Sequence, residues 1–266
     1  AARDKTRSTL TELSYDYRGN LNRRVVYAAV AANGAGLLGS ATNVTEFIYS
    51  EHGQLLQTLA VRGADRSAKA VLTSIVYDGM GRVLSQTDAS GTRTTVYNGL
   101  NRTVTTTNSA GLTISQSYDT WGRLITQSET AANATPRSTL YVYDAAGRQT
   151  MVQDATGVRS YVLYDEAGRV SAQINGLGAV TEFVYNASGQ RIQEKRYATL
   201  IDTTGGYDGT TVFVTQVTQV RPPANADDRV TSFTYDSAGR LSTTTTPAGL
   251  VTTLSYDGLG QLVRQQ

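Results

Sequence analysis

Tyr235-Asp236-Ser237-Ala238-Gly239-Arg240-Leu241 is the stretch whose reading decides the fold, because the same pattern returns along the whole chain. A second clear copy is Tyr77-Asp78-Gly79-Met80-Gly81-Arg82-Val83. Tyrosines at 15, 49, 77, 97, 118, 143, 164, 185, 235 and 256 each open a similar segment, with successive gaps of 34, 28, 20, 21, 25, 21, 21, 50 and 21 residues. The basic period is 21, lengthened by insertions near 28–44, 60–72, 130–138 and 198–228. A fixed period of this length is the mark of a repeat architecture, in which each unit leans on its neighbours.

The residue after each tyrosine is Asp16, Ser50, Asp78, Asn98, Asp119, Asp144, Asp165, Asn186, Asp236 or Asp257. All ten carry a side-chain oxygen that can accept a hydrogen bond from the backbone ahead, which starts a turn. Three residues further on stands glycine in nine copies and Asn101 in the tenth. Both residue types tolerate left-handed backbone angles. An acceptor at entry and a positive φ at exit predict a type I turn closing through a bulge. The full set recurs in five copies: Tyr77, Asp78, Gly81, Arg82; Tyr118, Asp119, Gly122, Arg123; Tyr143, Asp144, Gly147, Arg148; Tyr164, Asp165, Gly168, Arg169; and Tyr235, Asp236, Gly239, Arg240. These are structural turn residues, with no catalytic, cofactor or metal role.

The flanks read as strands. Two before the tyrosine lie mostly apolar residues such as Leu13, Phe47, Ile75 and Phe233, and six after it Leu21, Leu55, Val83, Leu124, Val170, Leu241 and Leu262. Same-face neighbours on a strand are two apart, so a tyrosine–leucine ladder is expected to run from hairpin to hairpin. A second glycine follows the tyrosine by fourteen at Gly91, Gly111, Gly157, Gly178 and Gly249, marking the return turn. One hairpin cannot bury its own apolar face, so stability must come from stacking.

Composition agrees. The 266 residues include 25 Gly, 16 Tyr and only 4 Pro, and the chain is rich in Thr, so the expectation is an all-β fold. A net charge of +2, with its arginines evenly spread, speaks against nucleic acid as a partner. No cysteine is present, which removes disulfides and thiolate metal sites. The Ala1-Ala2-Arg3-Asp4-Lys5 start has no apolar segment of the signal-peptide kind, and no apolar run approaches the ~20 residues of a helical membrane span. The ends read as cuts through a longer chain.

Residues that resemble chemical motifs have plainer readings. Gly34-Ala35-Gly36-Leu37-Leu38-Gly39 fits G-x-G-x-x-G, but a strand-like segment follows it, not the helix whose amides would hold a pyrophosphate. The ordered aspartates are replaced by Asn98, Asn186 and Ser50, which keep an acceptor oxygen and lose the titrating group. His52, the single histidine, sits in a turn, so neither a zinc site nor a Ser-His-Asp arrangement is expected. Asp202, Asp208, Asp227 and Asp228 in the longest insertion lack the spacing of a calcium loop. In the same insertion Arg221-Pro222-Pro223-Ala224-Asn225 reads as a surface excursion.

The pattern Tyr-Asp-x-x-Gly-Arg-Leu with a Thr-rich return strand resembles the YD or Rhs repeat, over the whole chain in ten copies. The family includes bacterial Rhs polymorphic toxins, shell components of Tc toxin complexes, wall-associated proteins and teneurins. The resemblance implies a single array over 1–266, one continuous spiralling sheet that forms part of a hollow shell or tube. It implies secretion, display on a bacterial surface or delivery by a secretion system. The partners it implies are neighbouring YD repeats of the same chain or of other copies, an enclosed C-terminal toxin domain, and a surface glycan or protein ligand. There is no Asp-Pro pair, so the self-cleaving motif that precedes the toxin is absent from this stretch.

Geometry bounds the shell. About twenty strands at ~4.8 Å make a sheet roughly 95 Å wide. Closed once, it encloses a tube about 30–40 Å across between backbones. A folded 100-residue domain is roughly 34 Å wide and would not fit inside the side chains. The segment is therefore expected to be one part of a larger wall. The alternative is an extracellular filament, tube or adhesive stalk built by pairing of open edges.

Overall fold

The computed structural model describes residues 9–37, 41–62, 68–207 and 214–266. Ala1–Lys5, Leu38, Gly39 and Asp208, used in the sequence reading, lie outside the described residues. The first strands are β1 (Leu10–Tyr15), β2 (Leu21–Tyr27), β3 (Ala41–Tyr49), β4 (Leu55–Arg62), β5 (Ala68–Tyr77), β6 (Val83–Asp88) and β7 (Gly91–Asn98). Next come β8 (Thr103–Thr107), β9 (Thr113–Tyr118), β10 (Leu124–Thr130), β11 (Arg137–Tyr143), β12 (Gln149–Gln153), β13 (Arg159–Tyr164) and β14 (Val170–Ile174). The remainder are β15 (Val180–Tyr185), β16 (Arg191–Arg196), β17 (Arg229–Tyr235), β18 (Leu241–Thr245), β19 (Val251–Tyr256) and β20 (Leu262–Gln265). The fold is all-β, and the twenty strands form one antiparallel sheet. Two compact units divide the chain, Ala1–Ser117 with Glu129–Pro136 and Tyr118–Ser128 with Arg137–Gln266.

The hairpin turns follow the sequence pattern. At Tyr77 the register shifts so that Tyr77 faces Val83, the Asp78 amide donates to Arg82 O at 2.9 Å, and the Gly81 amide donates to Asp78 O at 3.0 Å. Gly81 takes φ 81°, which lets the chain leave the turn without a Cβ clash. The same pair of turn bonds forms at Asp16, Ser50, Asp119, Asp144, Asp165, Asn186, Asp236 and Asp257. The exception corrects one expectation. In the hairpin after Tyr97 the positive φ falls on Arg102 at 50°, not on Asn101, and Tyr97 faces Val104 with no bulge. Without glycine at the fourth place, the chain pairs Asn98 with Thr103 and closes a differently shaped loop.

The return turns reuse this device. Asn108, Asp154, Asn175 and Thr246 each accept the amide of the glycine three residues later and donate their own amide one residue beyond it. Only the glycines of these turns are legible from spacing. The oxygen-bearing residue three positions earlier carries the same signal.

Each unit has its own core on one face of its strands. In the first, Val25, Tyr27 and Val44 are buried with Leu10 and Val61 against them. In the second, Met151, Tyr161, Leu163, Ala172, Ile174, Val180 and Tyr197 form the larger core. Ile201, Tyr207, Val214, Val217 and Val220 pack on it, and all five come from the insertion between β16 and β17. The described parts of the insertion thus lie on the sheet as a lid, while Arg221, Pro223, Ala224 and Asn225 are exposed, as a surface excursion would have them. Pro222 is buried, and Arg221 turns its guanidinium inward to Glu182. Two short 3₁₀ turns, Thr204–Gly206 and Val217–Gln219, shape the lid.

Candidate functional site

The repeated motif builds a relay that links each hairpin to the next. Its first link is local. Asp78 accepts the Met80 and Arg82 amides on Oδ1, both at 2.9 Å, and the Arg82 Nε on Oδ2 at 2.7 Å. Equivalent carboxylate–guanidinium pairs join Asp119 to Arg123, Asp144 to Arg148, Asp165 to Arg169 and Asp236 to Arg240 at 2.6–2.8 Å. The second link crosses to the following repeat. Arg82 lies 4.2 Å from the ring centre of Tyr97, Arg148 4.3 Å from Tyr164 and Arg169 4.4 Å from Tyr185, while Arg123 and Arg240 stand 4.7 Å from Tyr143 and Tyr256. A flat guanidinium can bond a carboxylate through its edge and cover a ring with its face, which an ammonium cannot do.

The third link runs backwards. The Tyr164 hydroxyl donates to Gln149 O at 3.0 Å, the carbonyl just after the preceding turn. The hydroxyls of Tyr49, Tyr77, Tyr97, Tyr143, Tyr185, Tyr235 and Tyr256 donate to the matching carbonyls of Leu21, Leu55, Val83, Leu124, Val170, Arg191 and Leu241 at 2.8–3.2 Å. The residue six after the tyrosine thus serves through its backbone carbonyl, which explains why Gln149 and Arg191 are accepted among leucines. Phenylalanine at the tyrosine position would leave that carbonyl unpaired.

The aspartates behave as hydrogen-bond acceptors. The Arg82 amide holds the Asp78 carboxyl below its ordinary range, and the Arg240 amide does so for Asp236. At Asp119, Asp144 and Asp165 burial works against the charge, but the amide and guanidinium of the paired arginine outweigh it and the net direction is again downward. Asn186 and Gln190 replace such a pair without a charge: the Asn186 Nδ2 donates to Gln190 Oε1 at 2.8 Å, and the Gln190 Nε2 donates to Gly239 O at 2.8 Å.

A second polar cluster fastens the lid. Glu182 is buried in β15 and accepts the Tyr197 hydroxyl at 2.5 Å and the Arg221 Nε at 3.1 Å. Burial and the adjacent Glu182 push the Tyr197 hydroxyl up to about 12. Lys195 pairs with Asp228 at 2.9 Å, and Asp228 also accepts the Ala198 amide, which closes the base of the lid. Tyr161 and Arg159 reach up from the sheet to lid carbonyls, Tyr161 donating to Thr203 O at 2.9 Å and Arg159 to Tyr207 O at 3.1 Å. Sequence reasoning misses this cluster because its members are far apart in the chain and none belongs to the repeated Tyr-Asp-x-x-Gly-Arg motif.

The remaining candidates are absorbed by structure. Gly34 turns at φ 93°, and Gly36 lies flat on the Tyr27 ring, where a Cβ would come within 2.5 Å of ring carbons. The strand β3 follows this segment. His52 is exposed in its turn, its amide donating to Ser50 Oγ at 3.2 Å. Asp202 accepts the Thr204 amide and hydroxyl, and among the described residues no group of three His, Asp or Glu side chains is placed to hold a metal ion.

The chain is similar to known proteins. The profile of the Teneurin YD-shell family matches residues 4–194, and that of the RHS repeat matches residues 215–250 and 235–266. No curated protein matches. Among solved structures, the Tc holotoxin pore of Photorhabdus luminescens is similar at 18% identity and TM-score 0.50, over 98% of this chain and 14% of that one. A TcdB2–TccC3 crystal structure without its hypervariable C-terminal region is similar at 17% identity and TM-score 0.37, over 98% of this chain and 15% of that one. The chain therefore spans a small part of the length of the Tc toxin chains it matches. With the YD-shell profile covering well over half of its residues and tyrosine-anchored hairpins throughout, the chain belongs to the YD/Rhs-repeat family.

Proposed function

We propose that residues 1–266 are one array of YD repeats and form a stretch of the structural wall of a shell that encloses or delivers a toxin or other cargo, without catalysis. The observation that carries this reading is the relay from aspartate to arginine to the next tyrosine. It commits the motif's polar and aromatic groups to joining hairpins and leaves none converging on a reacting atom. The twenty motif residues from Tyr77 to Arg240 are the joints of that wall. Its partners are further repeats of the same chain or of other copies, and an enclosed C-terminal toxin domain. Its setting is outside the producing cell, after secretion or delivery; no helix among the described residues is long and apolar enough to cross a membrane.

Electron cryomicroscopy of the full-length protein in its native assembly tests this. A hollow particle with these hairpins in its wall and density inside is the expected result. An open filament, or a compact particle with a bound cofactor in a polar cleft, would overturn it.

A further inference from the structure

The chain contains three Asn-Gly pairs, Asn33-Gly34, Asn98-Gly99 and Asn175-Gly176. In such a pair the glycine amide nitrogen can attack the asparagine Cγ, because no side chain shields it. The new C–N bond closes a five-membered succinimide, and the side-chain nitrogen leaves as ammonia. Water then opens the ring at either carbonyl, giving aspartate or isoaspartate. Neither an oxidant nor a cofactor is consumed. What decides the rate is whether the side chain and the following amide are free to meet.

The three sites differ in that freedom. Asn175 Oδ1 accepts both the Leu177 amide at 3.0 Å and the Ala179 amide at 2.9 Å, and Gly176 is packed so closely that a Cβ there would collide with a Val158 methyl. At Asn33 the nucleophile itself is tied, since the Gly34 amide donates to Ala31 O at 2.8 Å. Asn98 is exposed and, among the described residues, its Oδ1 accepts only the Asn101 amide, at 3.1 Å. Nothing lies within 4 Å of the place a Gly99 Cβ would take, and no turn carbonyl among the described residues accepts the Gly99 amide. Among the described residues this is also the one tyrosine turn that lacks the bulged form.

We propose that Asn98-Gly99 is a site of spontaneous deamidation, with water as the co-reactant, and that Asn33 and Asn175 are protected by their turns. The aspartate product carries the carboxylate that Asp78, Asp119 and Asp144 place four residues ahead of an arginine, here Arg102.

The test is peptide mapping by mass spectrometry of the folded protein incubated at pH 7 and pH 9, with enzymatic methylation to detect isoaspartate. Modification should accumulate at Asn98 about tenfold faster than at Asn175, since one additional hydrogen bond must be given up there. It should quicken at the higher pH and be suppressed in Gly99→Ala. In denaturant the three sites should converge to similar rates, which separates the effect of the fold from that of local sequence. Equal rates at the three sites in the folded protein, or an unmodified Asn98, would overturn the proposal.

Discussion

At the exit of each turn the backbone passes through the left-handed region, where a side chain is strained whatever space surrounds it. Gly147 illustrates this: it has φ 83°, and the atom nearest to where a Cβ would stand is Arg123 Nη1 at 3.5 Å, an ordinary contact. Gly147→Val should therefore cost about 1–3 kcal/mol through backbone strain alone, and Gly147→Asn clearly less. Chemical denaturation of the two variants checks this, and equal losses would sink the turn assignment. The tolerance of Asn rests on the intrinsic ease of that residue in the left-handed region and not on Asn101, whose own φ is negative. Tyr164→Phe isolates a different joint. It keeps the ring under Arg148 but orphans the half-buried Gln149 carbonyl, so a loss of about 0.5–1.5 kcal/mol is expected in the same measurement. The aspartates set the response to acid. Their carboxyls are held below the ordinary 3.8 in the folded chain, so the unfolded chain takes up protons first as the pH falls. Their stabilisation is complete above that value and drains away below it; melting temperature should be level from pH 7 to about 5 and fall below about 4. A decline that begins near pH 6 would point to another titrating group.

At the scale of the hairpin, Asp165 and Arg169 act as one part. The Asn186–Gln190 hairpin shows that a neutral pair fits the same frame. Asp165→Ala should lose about 1 kcal/mol because the Arg169 amide loses its acceptor. Asp165→Asn keeps that acceptor but leaves the Arg169 guanidinium without its carboxylate, a smaller loss because both side chains are partly in water. Adding Arg169→Gln should recover part of it, with a coupling of about 0.5 kcal/mol in a double-mutant cycle. Additive effects would mean that the pair is incidental. The hairpins themselves are legible in the sequence because their signal is local: an acceptor, a glycine and alternating apolar flanks fix the turn and the register together. Of what the hairpins do to one another, spacing shows that tyrosine and leucine positions meet, but not through which groups. That Arg148 covers Tyr164, or that Tyr164 bonds the Gln149 carbonyl, depends on strand stacking, and spacing along the chain carries no trace of it. The Tyr97 hairpin misleads for the opposite reason. Asn101 satisfies the local rule, yet direct pairing of Asn98 with Thr103 moves the positive φ to Arg102.

At the scale of the molecule, the insertion between β16 and β17 breaks the repeat and makes the largest core. Its length is plain in the 50-residue gap, but its role is hidden, because a polar, proline-containing loop gives no periodic sign of the face it covers. Its apolar residues Ile201, Tyr207, Val214, Val217 and Val220 are scattered, and only the sheet beneath gathers them. The sheet supplies the counterpart: Met151, Leu163, Ile174 and Val180 are at most 2% exposed, whereas Val76 and Val96, which precede their tyrosines as Leu163 precedes Tyr164, are 51% and 63% exposed. Replacing residues 197–228 with a short Asn-Gly turn is sterically simple, since Arg196 and Arg229 are already opposite one another. The shortened chain should keep its strand content by circular dichroism, because the turns and the relay lie outside the deleted segment. It should nevertheless bind a hydrophobic dye and lose several kcal/mol, as each large side chain returned to water costs about 1.5–3 kcal/mol. Arg221→Ala is the gentler version. It leaves the Glu182 carboxylate buried beside Tyr197 with its strongest partner gone, at a cost of about 1–3 kcal/mol after allowing for the exposure of Arg221. The two variants should differ in kind: Arg221→Ala lowers the melting temperature without dye binding, whereas the deletion does both. If the deletion melts like the intact protein and binds no dye, the insertion is an ornament on the sheet and the core belongs to the strands alone.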